Sequence, residues 1–156
     1  MEKSSVIQLL ENLKDPDEQI RASATDQLWR RWFEQKGEFG LEILRRSQIL
    51  LEAGKVTQAE ELLSTTIQNQ PDFAEAWNRL GVLYYMQGEY EKSREKCLQV
   101  VQLNPIHFGA WHGLGLCQAA LGNYRYAIEA FEKALEIMPY SVENKKLILE
   151  CNLRLS

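Results

Sequence analysis

Five side chains could carry chemistry in this sequence: His107, His112, Cys97, Cys117 and Cys151. The two histidines share the stretch NPIHFGAWHGLG at 104–115 and stand five residues apart. A helical metal pair needs spacings of three or four, which put both rings on one face. No third ligand lies close in the sequence, so no metal site is expected. The three cysteines form no CxxC, and an odd, widely spaced set suggests reduced thiols in an intracellular protein. Cys97 reads as a small buried hydrophobe. Cys117 and Cys151 are expected on successive stacked helices, where they could approach each other. No cation stands beside them in sequence to lower a thiol pKa. No Gly-rich phosphate loop, GxSxG elbow or serine–histidine–acid arrangement occurs. The expectation is no catalytic residue, no cofactor and no enzyme.

The elements that carry these residues recur. With the chain shifted by 34 residues, Trp77 falls on Trp111, and Leu80-Gly81 falls on Leu114-Gly115. Gly54, Gly88 and Gly122 align, as do Ala59, Ser93 and Ala127, and Pro71, Pro105 and Pro139. The spacing defines units at 40–73, 74–107 and 108–141. Each unit reads as a helix, a glycine able to end it in the left-handed conformation, a second helix and a proline that breaks the chain. One hairpin cannot bury its apolar face alone, so the units must stack.

These residues resemble the tetratricopeptide repeat family. Its pattern appears as Trp77-x-x-Leu80-Gly81-x-x-Tyr84 in the second unit. In the third it appears as Trp111-x-x-Leu114-Gly115, Ala127-x-x-x-Phe131, Ala134 and Pro139. The first unit departs from it, with Ile43, Arg46 and Ser47 in place of tryptophan, leucine and glycine. The resemblance covers about two thirds of the chain. It implies an all-α, right-handed solenoid of helical hairpins.

Two further segments flank the repeats. Residues 1–39 read as another helix pair with a turn at Asp15-Pro16-Asp17, and Leu13-x-Asp15-x-Asp17…Arg21-x-x-Ala24 resembles a HEAT-type hairpin. Trp29, Trp32 and Phe33 are expected to pack this hairpin against the unit at 40–73. An exposed aromatic docking site beside Arg30 and Arg31 is the other reading. Residues 142–156 read as a capping helix begun by Ser141, the first half of an unfinished unit. Ile148 is expected inward, and Lys145, Lys146, Glu150 and Arg154 outward.

The resemblance also assigns faces, since the first helix of each unit lines the concave side. It points Leu44, Gln48 and Leu51, then Asn78, Val82 and Tyr85, then His112, Leu116 and Ala119 into a groove, with Arg79 at its edge. The function expected is a non-enzymatic module that binds a segment of another protein there, mainly through apolar contacts. Relatives that hold acidic chaperone C-termini use lysines, arginine and asparagines. The matching places here hold Leu44, Gln48, Asn78, Gly109 and Gly113, so a carboxylate clamp is not expected. The alternatives are a self-assembling homo-oligomer and a regulatory subunit acting through its acidic surface.

Composition bounds these readings. The chain has 156 residues, enough for about one domain. Its net charge of −4 argues against nucleic acid or an anionic membrane as partner. No apolar run approaches the ~18 residues of a membrane span. The N-terminus lacks a secretory pattern. The expected location is cytoplasmic, or an organelle such as the chloroplast stroma if a transit peptide was removed.

Overall fold

Each repeat hairpin turns at a glycine that only a left-handed backbone satisfies. Gly54, Gly88 and Gly122 have φ of +74°, +76° and +81°. The amide after each glycine reaches back five residues to close the preceding helix. Lys55 N donates to Leu50 O at 2.8 Å, Glu89 N to Tyr84 O at 2.9 Å and Asn123 N to Gln118 O at 2.8 Å. Three identical helix ends follow from three identically placed glycines.

The computed structural model describes residues 5–156. Among them are nine helices and no strand: α1 (Val6–Asn12), α2 (Glu18–Phe33), α3 (Gly37–Glu52), α4 (Val56–Asn69), α5 (Ala74–Met86), α6 (Tyr90–Leu103), α7 (Phe108–Ala120), α8 (Tyr124–Ile137) and α9 (Val142–Leu155). The pairs α3/α4, α5/α6 and α7/α8 are antiparallel hairpins, and α9 packs on α8. Helices α3, α5, α7 and α9 form the inner layer of the solenoid, and α4, α6 and α8 the outer.

The special residues of the repeat have physical duties. The Trp77 indole N–H donates to Pro71 O at 2.9 Å, and the Trp111 indole N–H to Pro105 O at 2.7 Å. Each indole thus ties an inner helix to the loop before it. At Gly115 an added Cβ would lie 2.4 Å from the Phe131 ring, so α7 and α8 touch only because that side chain is absent. Ile43, at the tryptophan place of the first unit, is buried. Its neighbour Leu44 is only 4% exposed and packs with Leu63, Phe73, Ala76 and Leu80. Leu44 is therefore core rather than groove. Phe73 from the next unit's junction seals the space on that side.

The N-terminal hairpin departs from expectation. It does not stack on α3/α4 as a preceding repeat would. Leu9, Leu13, Ala24 and Leu28 form one buried cluster with Phe108, flanked by Ile106, Ile137 and Met138. Helix α2 crosses all three junctions between units, in reverse order. Arg21 lies 4.0 Å over the Tyr140 ring. Trp32 stacks on His107 at 4.4 Å and 18°, and Trp29 meets Phe108 edge-on at 5.5 Å. The Lys36 ammonium sits 2.7 Å from both Asp72 carboxylate oxygens and holds that carboxyl below its ordinary pKa. Sixteen residues at ~1.5 Å each make about 24 Å, enough to cross three units set ~10 Å apart. Trp29 and Trp32 therefore face the second junction, at His107 and Phe108, rather than the unit at 40–73, and they are not an exposed docking patch. Phe33 alone of the three joins the core of the first unit.

The turn between α1 and α2 is held by the residues that drew notice in the sequence. Asp17 N donates to Asp15 Oδ1 at 2.8 Å, and Arg21 Nη1 donates to Asp15 O and Pro16 O at 2.8 Å each.

Candidate binding groove

Three depressions run along the inner layer. The first, about 310 Å³, lies between Phe33, Leu41, Gln48, Ile49 and Arg79, with buried Leu44 beneath. The second, about 200 Å³, lies between α5 and α7 and is lined by Asn78, Gly81, Val82, Tyr85, Gly109, His112, Gly113 and Leu116. The third, about 430 Å³, lies between α7 and α9, where Tyr85 and Leu116 recur with Ala119, Tyr124, Leu147 and Leu153. Tyr85 and Leu116 thus connect the second and third.

Of the ten groove residues read from the sequence, eight line these depressions with accessible side chains. Leu44 is buried, and Leu51 packs half-buried against the core of the first unit without reaching any of the three. Arg79 Nη1 donates to Gln48 Oε1 at 2.8 Å, and its guanidinium lies 5.7 Å over the Phe33 ring. Val82 is 48% exposed, and Met86, one turn on, 76%. The Tyr85 ring tilts against Tyr90 at 5.2 Å. Burial pushes the Tyr85 hydroxyl above its ordinary pKa. His112 does not stand free in the groove: its Nδ1 is 2.7 Å from Asn144 Oδ1, and its Nε2 is 3.6 Å from Glu143 on α9.

The middle of the groove carries almost no charge. Helix α7 has no Asp, Glu, Lys or Arg, and α5 has only Glu75 and Arg79. Glu75 is fully buried and turned away, with His107 Nε2 at 2.5 Å from Oε1 and Asn78 Nδ2 at 3.5 Å from Oε2. His107 is equally buried. It is the N-cap of α7, its Nδ1 accepting from Ala110 N at 2.9 Å. With Nδ1 as acceptor, Nε2 carries the ring proton and donates to Glu75. The two histidines therefore have separate structural partners, one at a junction and one on the cap. Among the described residues no group of three or more His, Cys, Asp or Glu is placed to hold a metal.

The cysteines are arranged differently from the sequence reading. Cys117 shares a buried cluster with Cys97 rather than meeting Cys151, which packs with Ala127 and Phe131. Cys117 Sγ donates to Ser93 Oγ at 3.1 Å, and Ser93 donates to Gly81 O at 2.6 Å. A hydrogen bond from Cys97 lowers the pKa of the Cys117 thiol against the burial that raises it. Cys97 forms part of the floor of the middle depression, next to Gly113.

Sequence reasoning missed the contribution of the N-terminal hairpin. Phe33 walls the first depression. Trp29 fills the space above Gly109, where an added Cβ would come within 2.7 Å of its ring. Gly109 is one of the five places compared with a carboxylate clamp, and here an indole covers it. The only signals in the sequence were the aromatic cluster and the missing side chain, 80 residues apart.

Residues 44–105 and 109–141 match family models of the tetratricopeptide repeat, together more than half of the chain. The chain belongs to the tetratricopeptide repeat family. A TPR repeat-containing protein of Rhizobium etli is 29% identical over 138 residues, covering 88% of this chain and 68% of the relative. The Superkiller complex protein 3 of Mus musculus is 28% identical over 112 residues, 72% of this chain but only 7% of that protein. Among solved structures, the first TPR of Spaghetti (RPAP3) bound to the HSP90 peptide SRMEEVD superposes with a TM-score of 0.70. It is 18% identical, over 74% of this chain and 91% of the other. At that identity the likeness shows the fold. No helix among the described residues is long and apolar enough to cross a membrane.

Proposed function

We propose that this tetratricopeptide repeat chain is a non-enzymatic interaction module that binds a segment of another protein in its concave groove, chiefly through apolar contact. The observation that carries this reading is the uncharged cleft between α5 and α7, with Val82 and Tyr85 accessible along it, which opens toward α9 into a hollow rimmed by Glu150 and Arg154. A contiguous apolar strip with polar groups at its rim suits a partner segment. Asn78 and Gln48 could hydrogen-bond its backbone whatever its sequence. The occupant is not an acidic C-terminus. The five clamp places supply no cation, and Arg79, the nearest, is already bonded to Gln48.

The test is a pull-down with the wild type and with Tyr85→Ala/Leu116→Asp, each shown by circular dichroism to be folded. Binding of any captured partner is then measured directly. A groove contact predicts at least a tenfold loss of affinity, ~1.4 kcal/mol, that changes little with salt. Unchanged affinity for every captured protein would falsify the groove as the working surface.

A further inference from the structure

Helix α9 carries an exposed apolar stripe, one end of which, Leu153, also rims the third depression. Val142, Leu149 and Leu153 are 76%, 65% and 74% exposed, while Asn144, Ile148 and Cys151 on the opposite face pack against the third unit. With Lys146 the outer residues form one stripe along the helix. This stripe is a prepared contact without a covering element among the described residues.

The contact is not the second helix of a fourth repeat. Within the third unit, α8 approaches α7 closely because Gly115 presents no side chain to Phe131. Leu149 is the residue in the same register on α9, and its bulk prevents that approach. A helix crossing Leu149 must sit at the ~8–10 Å separation of ordinary side-chain packing.

We propose that the stripe pairs with the same stripe of a second copy, α9 against α9 in antiparallel register. Its residues are spaced four, three and four apart, a pattern that reads the same from either end. A two-fold axis then sets Val142 opposite Leu153 of the second copy, and Lys146 opposite Leu149, with the lysine stem lying along the leucine. Charge agrees with this. Glu143 and Arg154 lie on one flank of the stripe, and in an antiparallel pair each flank faces its own copy. Glu143 then meets Arg154 of the second copy, displaced by only ~3 Å along the axis, and the reciprocal pair forms by symmetry. Glu143 is free to turn outward, its side chain being 71% exposed. The area is small, of the order of 1,000 Å² for both copies and near the lower bound for a specific interface. The dimer is therefore weak.

Sedimentation velocity tests this over ~1 µM to ~1 mM, the range in which such an area holds a dimer. The mass should rise from 18.1 kDa toward twice that value. Val142→Glu/Leu149→Glu, which touches exposed positions that line none of the three depressions, should stay monomeric. Glu143→Arg and Arg154→Glu should each weaken association by about tenfold, and the combined charge swap should recover it. The groove variant Val82→Asp, which lies in the middle depression and not in the one shared with α9, should dimerise as wild type does, which separates this interface from the middle of the groove. A wild type that stays monomeric throughout overturns the proposal, and so does a dimer that survives Val142→Glu/Leu149→Glu. A combined swap no better than its single changes overturns the antiparallel pairing.

Discussion

Replacing His107 with alanine should be the most damaging single change at a polar position in this fold. Both His107 and Glu75 are 0% exposed, and the His107 ring performs three tasks at once. It caps α7 through Ala110 N, satisfies Glu75 Oε1 and forms the surface on which Trp32 stacks. The alanine variant loses a helix cap, about 1 kcal/mol. It also leaves a buried carboxylate with a single long contact to Asn78 at 3.5 Å. Breaking a buried pair by removing one partner costs about 3–5 kcal/mol, and that dominates. Urea unfolding followed by far-UV circular dichroism should therefore show a loss of about 3–5 kcal/mol. The midpoint of thermal unfolding should fall by roughly 10 °C. His107→Asn keeps a capping side chain and isolates the Glu75 contact. Glu75→Ala/His107→Ala removes both members and should cost clearly less than the two single losses added, with a coupling of about 1–3 kcal/mol. If His107→Ala stays within about 1 kcal/mol of wild type, or if the two changes add, then Glu75 does not depend on His107 and the account of this junction is wrong.

Two further predictions concern the repeat itself. Gly115→Ala should destabilise by about 1–3 kcal/mol through overpacking on Phe131, whereas Gly81→Ala, whose added Cβ meets nothing nearer than 3.4 Å, should be neutral or gain up to ~1 kcal/mol from helix propensity; equal losses measured by urea unfolding would contradict the difference in packing. Tyr84 donates to Glu60 at 2.8 Å, and desolvation together with that carboxylate pushes its pKa up to about 12. A raised folded-state value means the stabilisation is complete below the unfolded value of about 10 and is lost as pH rises through about 12. Tyr84→Phe should flatten the fall in stability across that window, and an unchanged pH profile would refute the assignment.

The repeat was legible because its unusual residues are ones that geometry demands. A left-handed turn admits glycine and few others, a junction needs proline, and an indole that bonds the preceding proline carbonyl must stand at a fixed place. Gly54, Gly88 and Gly122 could therefore be aligned with no structure at all. The docking of the N-terminal hairpin was not legible. Trp29 and Trp32 at helical spacing say that a face is buried but not what buries it. Their target is His107 and Phe108, at a junction about 75 residues further along the chain that no periodicity within α2 points to. Glu75 and His107 were missed for a related reason. They stand 32 residues apart and occupy non-equivalent places in the 34-residue register, so aligning the units never sets one against the other. Leu44 was misplaced because its face was inferred from units that contain a tryptophan, and the first unit does not.

The hairpin also divides the groove, and this sharpens what a partner must touch. Helix α2 lies over the junctions that begin α5, α7 and α9, so the starts of the inner helices are already covered by Phe33, Trp29 and Trp32. What remains open is the later part of α5 and α7, at Val82, Tyr85, Leu116 and Ala119, and the hollow they share with α9. A segment seated there meets apolar side chains on both sides, with Arg79 at one end and Glu150 and Arg154 on the α9 rim. Its grip should therefore concentrate in the two residues common to both hollows, Tyr85 and Leu116. At Gly109, one of the places compared with a carboxylate clamp, this chain sets an indole over the groove. The same covering that removes that mode leaves the apolar half of the groove as the surface with free area to offer.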